Sequence, residues 1–370
     1  MPAVANSIAT APDGRVYVAG RVDFASDRDI SKGYEIEGDD GGELNINRFH
    51  FVVHAYSEHG RAIKSFGDDG KLLIKAPTDW SGLDAPAELL DIGVAPDGSL
   101  YVLYEDNEWK YRLVHLDRRG HRVRGFGGSG VVRLNLPKGA GTDELTGARV
   151  FPDVNGAVVT YTTTSYKKKA GRALWGAQRF DRYGRRDRGY GTNGAFSKTW
   201  PLVGKLRGSD LAVESVLDAS GRIVFAGTNA EESESRTIRR GAVIRVLTNG
   251  RLDRSFGNAG IFSPVNHDGT PKYVESITSG SDGRYVLAAA RCIPDPDEES
   301  PCTSEWSTMQ IDSDGKPLLS WGANGEAPIS GDFGGIKAML SAKRRVYIAF
   351  GRVYSANERN PRFGVTALFE

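Results

Sequence analysis

The chain of 370 residues has little that would direct it to a charged partner or into a membrane. Its 48 lysines and arginines are balanced by 47 acidic residues, which leaves a formal net charge of +1. A balanced chain creates no overall field to attract nucleic acid or an anionic lipid surface. No apolar run approaches the roughly 18–20 residues that a membrane-spanning helix needs. We therefore expect neither nucleic acid binding nor membrane insertion.

Catalytic signatures are missing from the sequence as well. It contains no GxSxG elbow, HExxH, CxxC, P-loop or dinucleotide-binding fingerprint. Each of these motifs sets a nucleophile, a metal ligand or a phosphate cradle into a defined local geometry. The sequence therefore assigns no catalytic residue and predicts no metal site.

Cysteine is scarce. The two cysteines, Cys292 and Cys302, lie in the stretch RCIPDPDEESPC with nine residues between them. Two lone cysteines in one loop rich in proline and acids favour a disulfide that closes the loop. A loop this short would be stabilised by somewhat under about 3 kcal/mol, and the pairing favours an oxidising compartment. The alternative is a pair of unrelated free thiols.

One phrase of eleven residues occurs five times: a Gly, five variable residues, an aromatic, and then Gly-x-x-Gly. Successive copies lie 60 to 66 residues apart, and a period of that length indicates a repeat architecture. The copies start at Gly60, Gly120, Gly184, Gly250 and Gly315, and their aromatics are Phe66, Phe126, Tyr190, Phe256 and Trp321.

Each repeat is predicted to fold into four short strands, A to D. A short apolar stretch, a turn centred on Asp-Gly or a variant, and an alternating run predict the hairpin of strands A and B, since such turns need positive φ. Examples are SIATAPDGRVYVAG from Ser7 and DIGVAPDGSLYVLY from Asp91. A third strand, C, leads into the repeated phrase, and a weaker segment, D, ends at its aromatic. A short run after the phrase, such as 71–74, is left unassigned.

Closing such units radially protects most strand edges, which predicts an all-β, six-bladed β-propeller with four-stranded antiparallel blades. The aromatic would fill the space between neighbouring blades, and the glycines would permit the tight turn. The blades are placed at residues 1–74, 75–134, 135–198, 199–263, 264–329 and 330–370 of one domain, 1–370. The sixth has strands A, B and C, with Arg344-Arg345 in place of the turn glycine.

The phrase NGRLDRSFGNAG around Gly250 resembles the delta-60 repeat of predicted secreted and surface bacterial proteins. The units are also similar to NHL and gluconolactonase-like propeller repeats. The resemblance covers nearly the whole chain and implies a propeller fold, but it implies no particular activity. Gluconolactonase-like enzymes hold a divalent metal with acidic and Asn residues, and that set has no match here.

Loop length predicts which end of the molecule is functional. The A–B and C–D connections, which we call the turn face, are short and uniform. The B–C and D–A connections, the loop face, hold the length variation, and variable loops on a rigid scaffold usually carry binding. Five of the six tryptophans lie in or beside loop-face connections and could stack on sugars or anchor a peptide. They are Trp80, Trp109, Trp175, Trp200 and Trp306. The alternative is that each packs its own loop onto the scaffold.

A polar residue stands seven positions before the turn-glycine position in every A strand. If strand A is innermost, these residues form a ring that either satisfies itself, since buried charges need partners, or lines the floor of a polar pocket. The six are Ser7, Asp91, Arg149, Glu214, Ser276 and Lys337. The four charged ones, Asp91, Arg149, Glu214 and Lys337, are candidate ligand contacts together with the five tryptophans.

Two functions follow as hypotheses. The preferred one is a monomeric binding or scaffold module, extracellular, on the cell surface or periplasmic, whose loop face holds a glycan or a protein or peptide partner without a cofactor. The alternative is a propeller enzyme, a hydrolase or lyase at the channel mouth, with Ca²⁺ in the channel. A ring of two acids and two bases is poor for holding Ca²⁺, which takes six to eight oxygen ligands, so the enzyme is the second choice.

Overall fold

Antiparallel β-strands form the regular structure of the chain. The computed structural model describes residues 3–24, 48–75, 88–106, 110–135, 143–165, 171–202, 213–233, 236–280, 282–293, 303–329, 336–342, 345–351 and 363–369. Within these ranges there are 23 strands and no helix. The all-β prediction is thus confirmed.

The strands fall into six sheets within the described ranges, five with four strands and one with three. The first sheet has β1 (Ala3–Thr10), β2 (Val16–Phe24), β3 (Arg48–Tyr56) and β4 (Lys71–Lys75). The second has β5 (Glu88–Val94), β6 (Leu100–Glu105), β7 (Tyr111–Leu116) and β8 (Val131–Arg133). The third has β9 (Asp143–Asp153), β10 (Gly156–Ser165), β11 (Gly171–Asp181) and β12 (Ala195–Leu202). The fourth has β13 (Val213–Leu217), β14 (Ile223–Ser233), β15 (Arg236–Val246) and β16 (Ile261–Phe262). The fifth has β17 (Tyr273–Ser279), β18 (Tyr285–Ile293), β19 (Thr303–Ile311) and β20 (Glu326–Pro328). The sixth has β21 (Ile336–Ala342), β22 (Arg345–Gly351) and β23 (Phe363–Phe369).

Every sheet is a meander in which strands that follow one another in sequence pair in space. This confirms the predicted four-stranded antiparallel units and the three-stranded last one. The turn glycines of the predicted A–B hairpins have the positive φ that the sequence requires, for example 82° at both Gly14 and Gly98. The closing of six blades into one ring stays a prediction.

Contacts divide the chain into two compact units. The first comprises Met1–Pro137, Ala148–Val159 and Arg179–Asp187, and the second comprises Lys138–Gly147, Thr160–Gln178 and Arg188–Glu370. In each unit the core includes side chains from neighbouring sheets, such as Phe51 with Tyr104 in the first and Phe256 with Tyr285 in the second. The prediction of a single domain stays a prediction.

In the five four-stranded sheets, the fourth strand lies later in the chain than predicted. The segment before the aromatic forms a turn with an isolated bridge, such as Tyr56 to Ala62, and the strand begins only after Gly-x-x-Gly. In the first sheet Leu72 of β4 pairs with Val53 of β3. The run 71–74, which the sequence left unassigned, is therefore strand D.

Four copies of the repeated phrase are each hydrogen-bonded to the copy that follows in the chain. The glycine that follows the aromatic donates its N–H to the carbonyl that precedes the turn glycine of the next copy. The four such bonds within the units are Gly67 to Arg119 and Gly127 to Tyr183 at 2.8 Å, and Gly191 to Asn249 and Gly257 to Asp314 at 2.7 Å. We call this bond and the packing around it the repeat clasp.

Ring packing explains why glycine begins the phrase. A methyl group on Gly250 would lie 2.5 Å from the Gly191 nitrogen and 2.7 Å from Cδ1 of Tyr190, and its φ is +77°. Gly120, Gly184 and Gly315 lie against the preceding aromatic in the same way. The position therefore needs glycine both for its backbone conformation and for the approach of the ring.

Candidate functional site

The first strands of neighbouring sheets lie side by side within each unit. β1 contacts β5 in the first unit, while β13 contacts β17 and β17 contacts β21 in the second. A first strand has a sheet partner on one side only, so its other edge carries unpaired backbone groups. The polar residues singled out from the sequence lie on these strands.

In the first unit, Ser7, Asp91 and Arg149 form one connected group. The Ser7 hydroxyl donates to Oδ1 of Asp91 at 2.7 Å and accepts the N–H of Ile92 at 3.2 Å. Oδ2 of Asp91 accepts the N–H of Val150 at 2.9 Å, and Nη1 of Arg149 lies 3.6 Å from Oδ1. Both carboxylate oxygens of Asp91 are thus engaged.

The same arrangement recurs in the second unit. Oε2 of Glu214 on β13 accepts the hydroxyl of Ser276 at 2.5 Å and the N–H of Ile277 at 3.2 Å. In each case a side chain accepts the N–H of the residue that follows the equivalent position on the next first strand. The hydroxyl and carboxylate residues thereby satisfy N–H groups that no neighbouring strand would reach.

Asp91 and Arg149 form an ion pair between the first strands of the second and third sheets. Asp91 is only 5% exposed, and burial raises the pKa of its carboxyl against the lowering effect of Arg149 and the Val150 N–H. The Arg149 side chain is 43% exposed. Arginine has no acceptor atom, so Arg149 cannot serve as its neighbours do and instead forms the ion pair with Asp91.

Lys337 does not occupy the position that the sequence assigned to it. Ser276 pairs with Ala288, but in the last sheet the residue at that register is Ala338, which pairs with Ala349. Lys337 is the extra residue at the β-bulge between Ile336 and Ala338. The last hairpin is one residue shorter than the others, so counting back from its turn gives a position one residue too early.

The described tryptophans are buried, which corrects the expectation of exposed rings. Trp175 is 0%, Trp200 8% and Trp306 7% exposed, and they lie on β11, β12 and β19. Trp175 packs on Trp200 with centroids 5.0 Å apart, and Trp306 packs on Tyr273 at 5.6 Å. For these three residues the alternative hypothesis is correct: their rings pack onto the scaffold. Trp80 and Trp109 lie outside the described residues.

Two turn-face segments hold a feature that the sequence reading missed. Residues 117–124 and 181–186 carry seven arginines against two aspartates, and all seven arginines are exposed. The net charge of +1 over the whole chain conceals this local excess. A local count around the second and third copies of the phrase would have found this concentration.

Other sequence predictions remain open. Cys292 lies on β18 at the register of Ser304, and Cys302 is outside the described residues, so the disulfide stays a prediction. Within the described ranges, no three His, Cys, Asp or Glu side chains are grouped as metal ligands would be. No helix in the described part of the chain is long and apolar enough to span a membrane.

Comparison with known proteins adds distant likenesses only. No family model and no curated protein sequence matches the chain. Three solved structures with similar strand arrangements are a protein of unknown function from Bacteroides caccae, another from Dyadobacter fermentans and an endo-arabinase from Bacteroides thetaiotaomicron. Their identities are 12%, 11% and 10% and their TM-scores 0.37, 0.43 and 0.36. The matches cover 89%, 100% and 74% of this chain and 88%, 95% and 90% of the respective structures. Such similarities are too distant to assign an activity.

Proposed function

We propose that the protein is a six-bladed β-propeller that acts as a secreted or cell-surface binding module. Its partner is a glycan or a protein, held at the loop face. The proposal takes the six successive meanders as blades around a common axis, with the first strands innermost.

We prefer a binding module to an enzyme because the carboxylates on the first strands are already hydrogen-bonded to neighbouring strands. An acid, base or metal ligand must reach the substrate or the ion with a free lone pair. Both oxygens of Asp91 already accept hydrogen bonds, from Ser7 and Val150, and Oε2 of Glu214 accepts from Ser276 and Ile277. These carboxylates hold neighbouring strands together, while the side chain of Arg149, which pairs with Asp91, is 43% exposed and can also contact a ligand.

The loop face supplies the variety that recognition needs. The turn-face connections repeat nearly the same backbone, and their aspartates cap their own turn amides; Asp312, for example, accepts the N–H groups of Asp314 and Lys316 at 2.9 Å. Differences between repeats are therefore concentrated in the long B–C and D–A connections, where Trp80 and Trp109 lie in sequence.

A glycan array and a pull-down with the wild-type protein test the proposal. Trp80→Ala and Trp109→Ala, made singly, should each weaken binding, by about 2 kcal/mol where the ring is a hot spot. Asp312→Ala on the turn face is the control and should leave binding unchanged. If binding survives both Trp substitutions and is lost in turn-face variants, the binding site lies on the turn face and the proposal is wrong.

The enzyme alternative is decided by metal analysis. A stoichiometric divalent ion in the purified protein, with turnover of a bound glycan that stops on chelation, would favour the hydrolase or lyase. Binding without turnover or a resident ion supports the module.

A further inference from the structure

The turn face of the first unit carries a concentrated positive surface, which we call the arginine patch. It consists of the C–D turns 117–124 and 181–186, with seven exposed arginines and two aspartates. The corresponding segments of the other copies differ: 247–254 has two arginines, and 312–319 has one lysine and two aspartates. The charge is therefore specific to two copies of the repeat.

The repeat clasp makes these two turns adjacent. Gly127, just after the first turn, donates its N–H to the carbonyl of Tyr183 in the second at 2.8 Å. Gly184 lies against the ring of Phe126, where an added methyl group would be 3.2 Å from Cδ2. The two arginine-rich segments thus form one continuous rigid surface.

The carboxylates of the patch are held by their own turns. Asp117 accepts the N–H groups of Arg119 and His121 at 2.8 and 2.9 Å, and Asp181 accepts those of Tyr183 and Arg185 at 2.9 and 2.8 Å. These two aspartates, together with Asp13, which pairs with Arg118, cannot neutralise seven guanidinium groups. Nearby, Asp13 pairs with both Arg15 and Arg118, and Asp187 lies 3.5 Å from Arg179.

Tyr183 orders part of the patch. The guanidinium carbons of Arg182 and Arg185 lie 4.9 and 5.8 Å from the centre of its ring, and Nη2 of Arg182 donates to its hydroxyl at 2.8 Å. Stacked guanidinium groups keep their N–H donors directed outward and lose less freedom on binding an anion.

We propose that the arginine patch binds an acidic polysaccharide through its sulfate or carboxylate groups. A guanidinium recognises either group with two parallel hydrogen bonds, and a polymer with regularly spaced anions can meet several arginines at once. The patch offers no helix or β-ribbon that could enter a DNA groove. Its exposed aromatic, Tyr183, is already covered by arginines, so it is not free to stack on a base. This site is separate from the loop-face site of the proposed function.

Heparin, a sulfated and carboxylated polysaccharide, is the probe that tests the patch. Titration calorimetry at low and at physiological salt compares the wild type with the triple variant R119Q/R122Q/R124Q. We expect the wild type to bind heparin in a salt-dependent manner and the variant to bind about tenfold more weakly. R185Q/R186Q, in the neighbouring turn, should weaken binding as well and guards against a folding defect peculiar to the first variant.

The matched control is R251Q/R254Q/K316Q, which removes three positive charges from the corresponding turns of the fourth and fifth copies. It should bind heparin within about twofold of the wild type. Equal losses in the patch and control variants, or no heparin binding at low salt, would overturn the proposal. Tighter binding of a short DNA duplex than of heparin would overturn it in favour of a nucleic acid ligand.

Discussion

Ser7 and Asp91 lie 84 positions apart in sequence and share a hydrogen bond of 2.7 Å between the first strands of two sheets. The bond belongs to an arrangement that recurs on the first strands: the side chains of Ser7, Asp91 and Glu214 each accept an N–H from the next first strand. Polar residues at this position are therefore structural in the first instance.

Removing the Asp91 carboxylate should destabilise the protein strongly. Asp91→Ala removes the acceptor of the Ser7 hydroxyl and of the Val150 N–H, and the carboxylate that pairs with Arg149, so we expect a loss of about 2–3 kcal/mol in the free energy of unfolding. Ser7→Ala should cost about 1 kcal/mol, since it removes one acceptor and one donor. Urea unfolding followed by far-UV circular dichroism measures both.

Thr10→Ala is the control for this pair, because Thr10 is an exposed residue of the same strand. Its effect should stay within about 0.5 kcal/mol. If Asp91→Ala were as mild as Thr10→Ala, the structural role of this carboxylate would be wrong.

His115 should make stability depend on pH. Its ring is buried, stacks on Tyr101 with centroids 4.2 Å apart, and has Nε2 3.0 Å from the Ser99 hydroxyl. Burial lowers the pKa of His115 below its ordinary value of 6.5, against smaller raising effects of Asp97 and Asp117. The neutral ring therefore contributes stability that is complete above that ordinary value and is lost as the pH falls through the folded pKa.

Melting temperatures at about pH 8 and about pH 5 test this dependence. His115→Gln should lose part of the wild-type difference between the two conditions. His121→Gln, on an exposed turn histidine, should keep it. An unchanged difference in His115→Gln would show that other groups govern the acid sensitivity.

The sequence could predict the sheets because hairpin signals are local. Asp-Gly and its variants fix positive φ at the turn, and strand alternation then sets the pairing, as at Gly98 between β5 and β6. The fourth strand was misplaced because apolar residues before the aromatic, such as Ile63, look like strand but pack in a turn. Local pattern does not separate the two.

The position of a candidate site residue could be predicted only where the number of residues between it and the hairpin turn is the same in every sheet. Counting from the turn brought Ser7, Asp91 and Arg149 together correctly, but it failed at Lys337 because the last hairpin is one residue shorter. The burial of Trp175 could not be predicted from the sequence for a different reason. Sequence shows that a tryptophan lies near a loop, but not whether neighbouring rings such as Trp200 cover it.

The disulfide is testable by chemistry alone. Non-reducing peptide mapping of protein from its native source should recover Cys292 and Cys302 in one linked peptide. Cys302→Ser should lower the free energy of unfolding by somewhat under about 3 kcal/mol under oxidising conditions and have little effect in reductant. Recovery of both cysteines as free thiols would reject the pairing.

The repeat clasp makes a sharper prediction, because the chain contains its own control. Gly250 and Gly60 begin two copies of the phrase and have nearly the same φ, 77° and 75°. An alanine methyl group at Gly250 would collide with the Tyr190 ring and the Gly191 backbone, whereas at Gly60 it would meet no described atom within 4 Å. Both substitutions carry the cost of a left-handed backbone, about 1–2 kcal/mol.

Gly250→Ala should cost about 2 kcal/mol beyond Gly60→Ala, since the ring and backbone must move apart and strain the clasp bond to Asn249. Parallel urea unfolding of the two variants gives the difference directly. Equal losses would mean that glycine is required at this position for φ alone and that packing of the aromatic on the next copy adds nothing to stability.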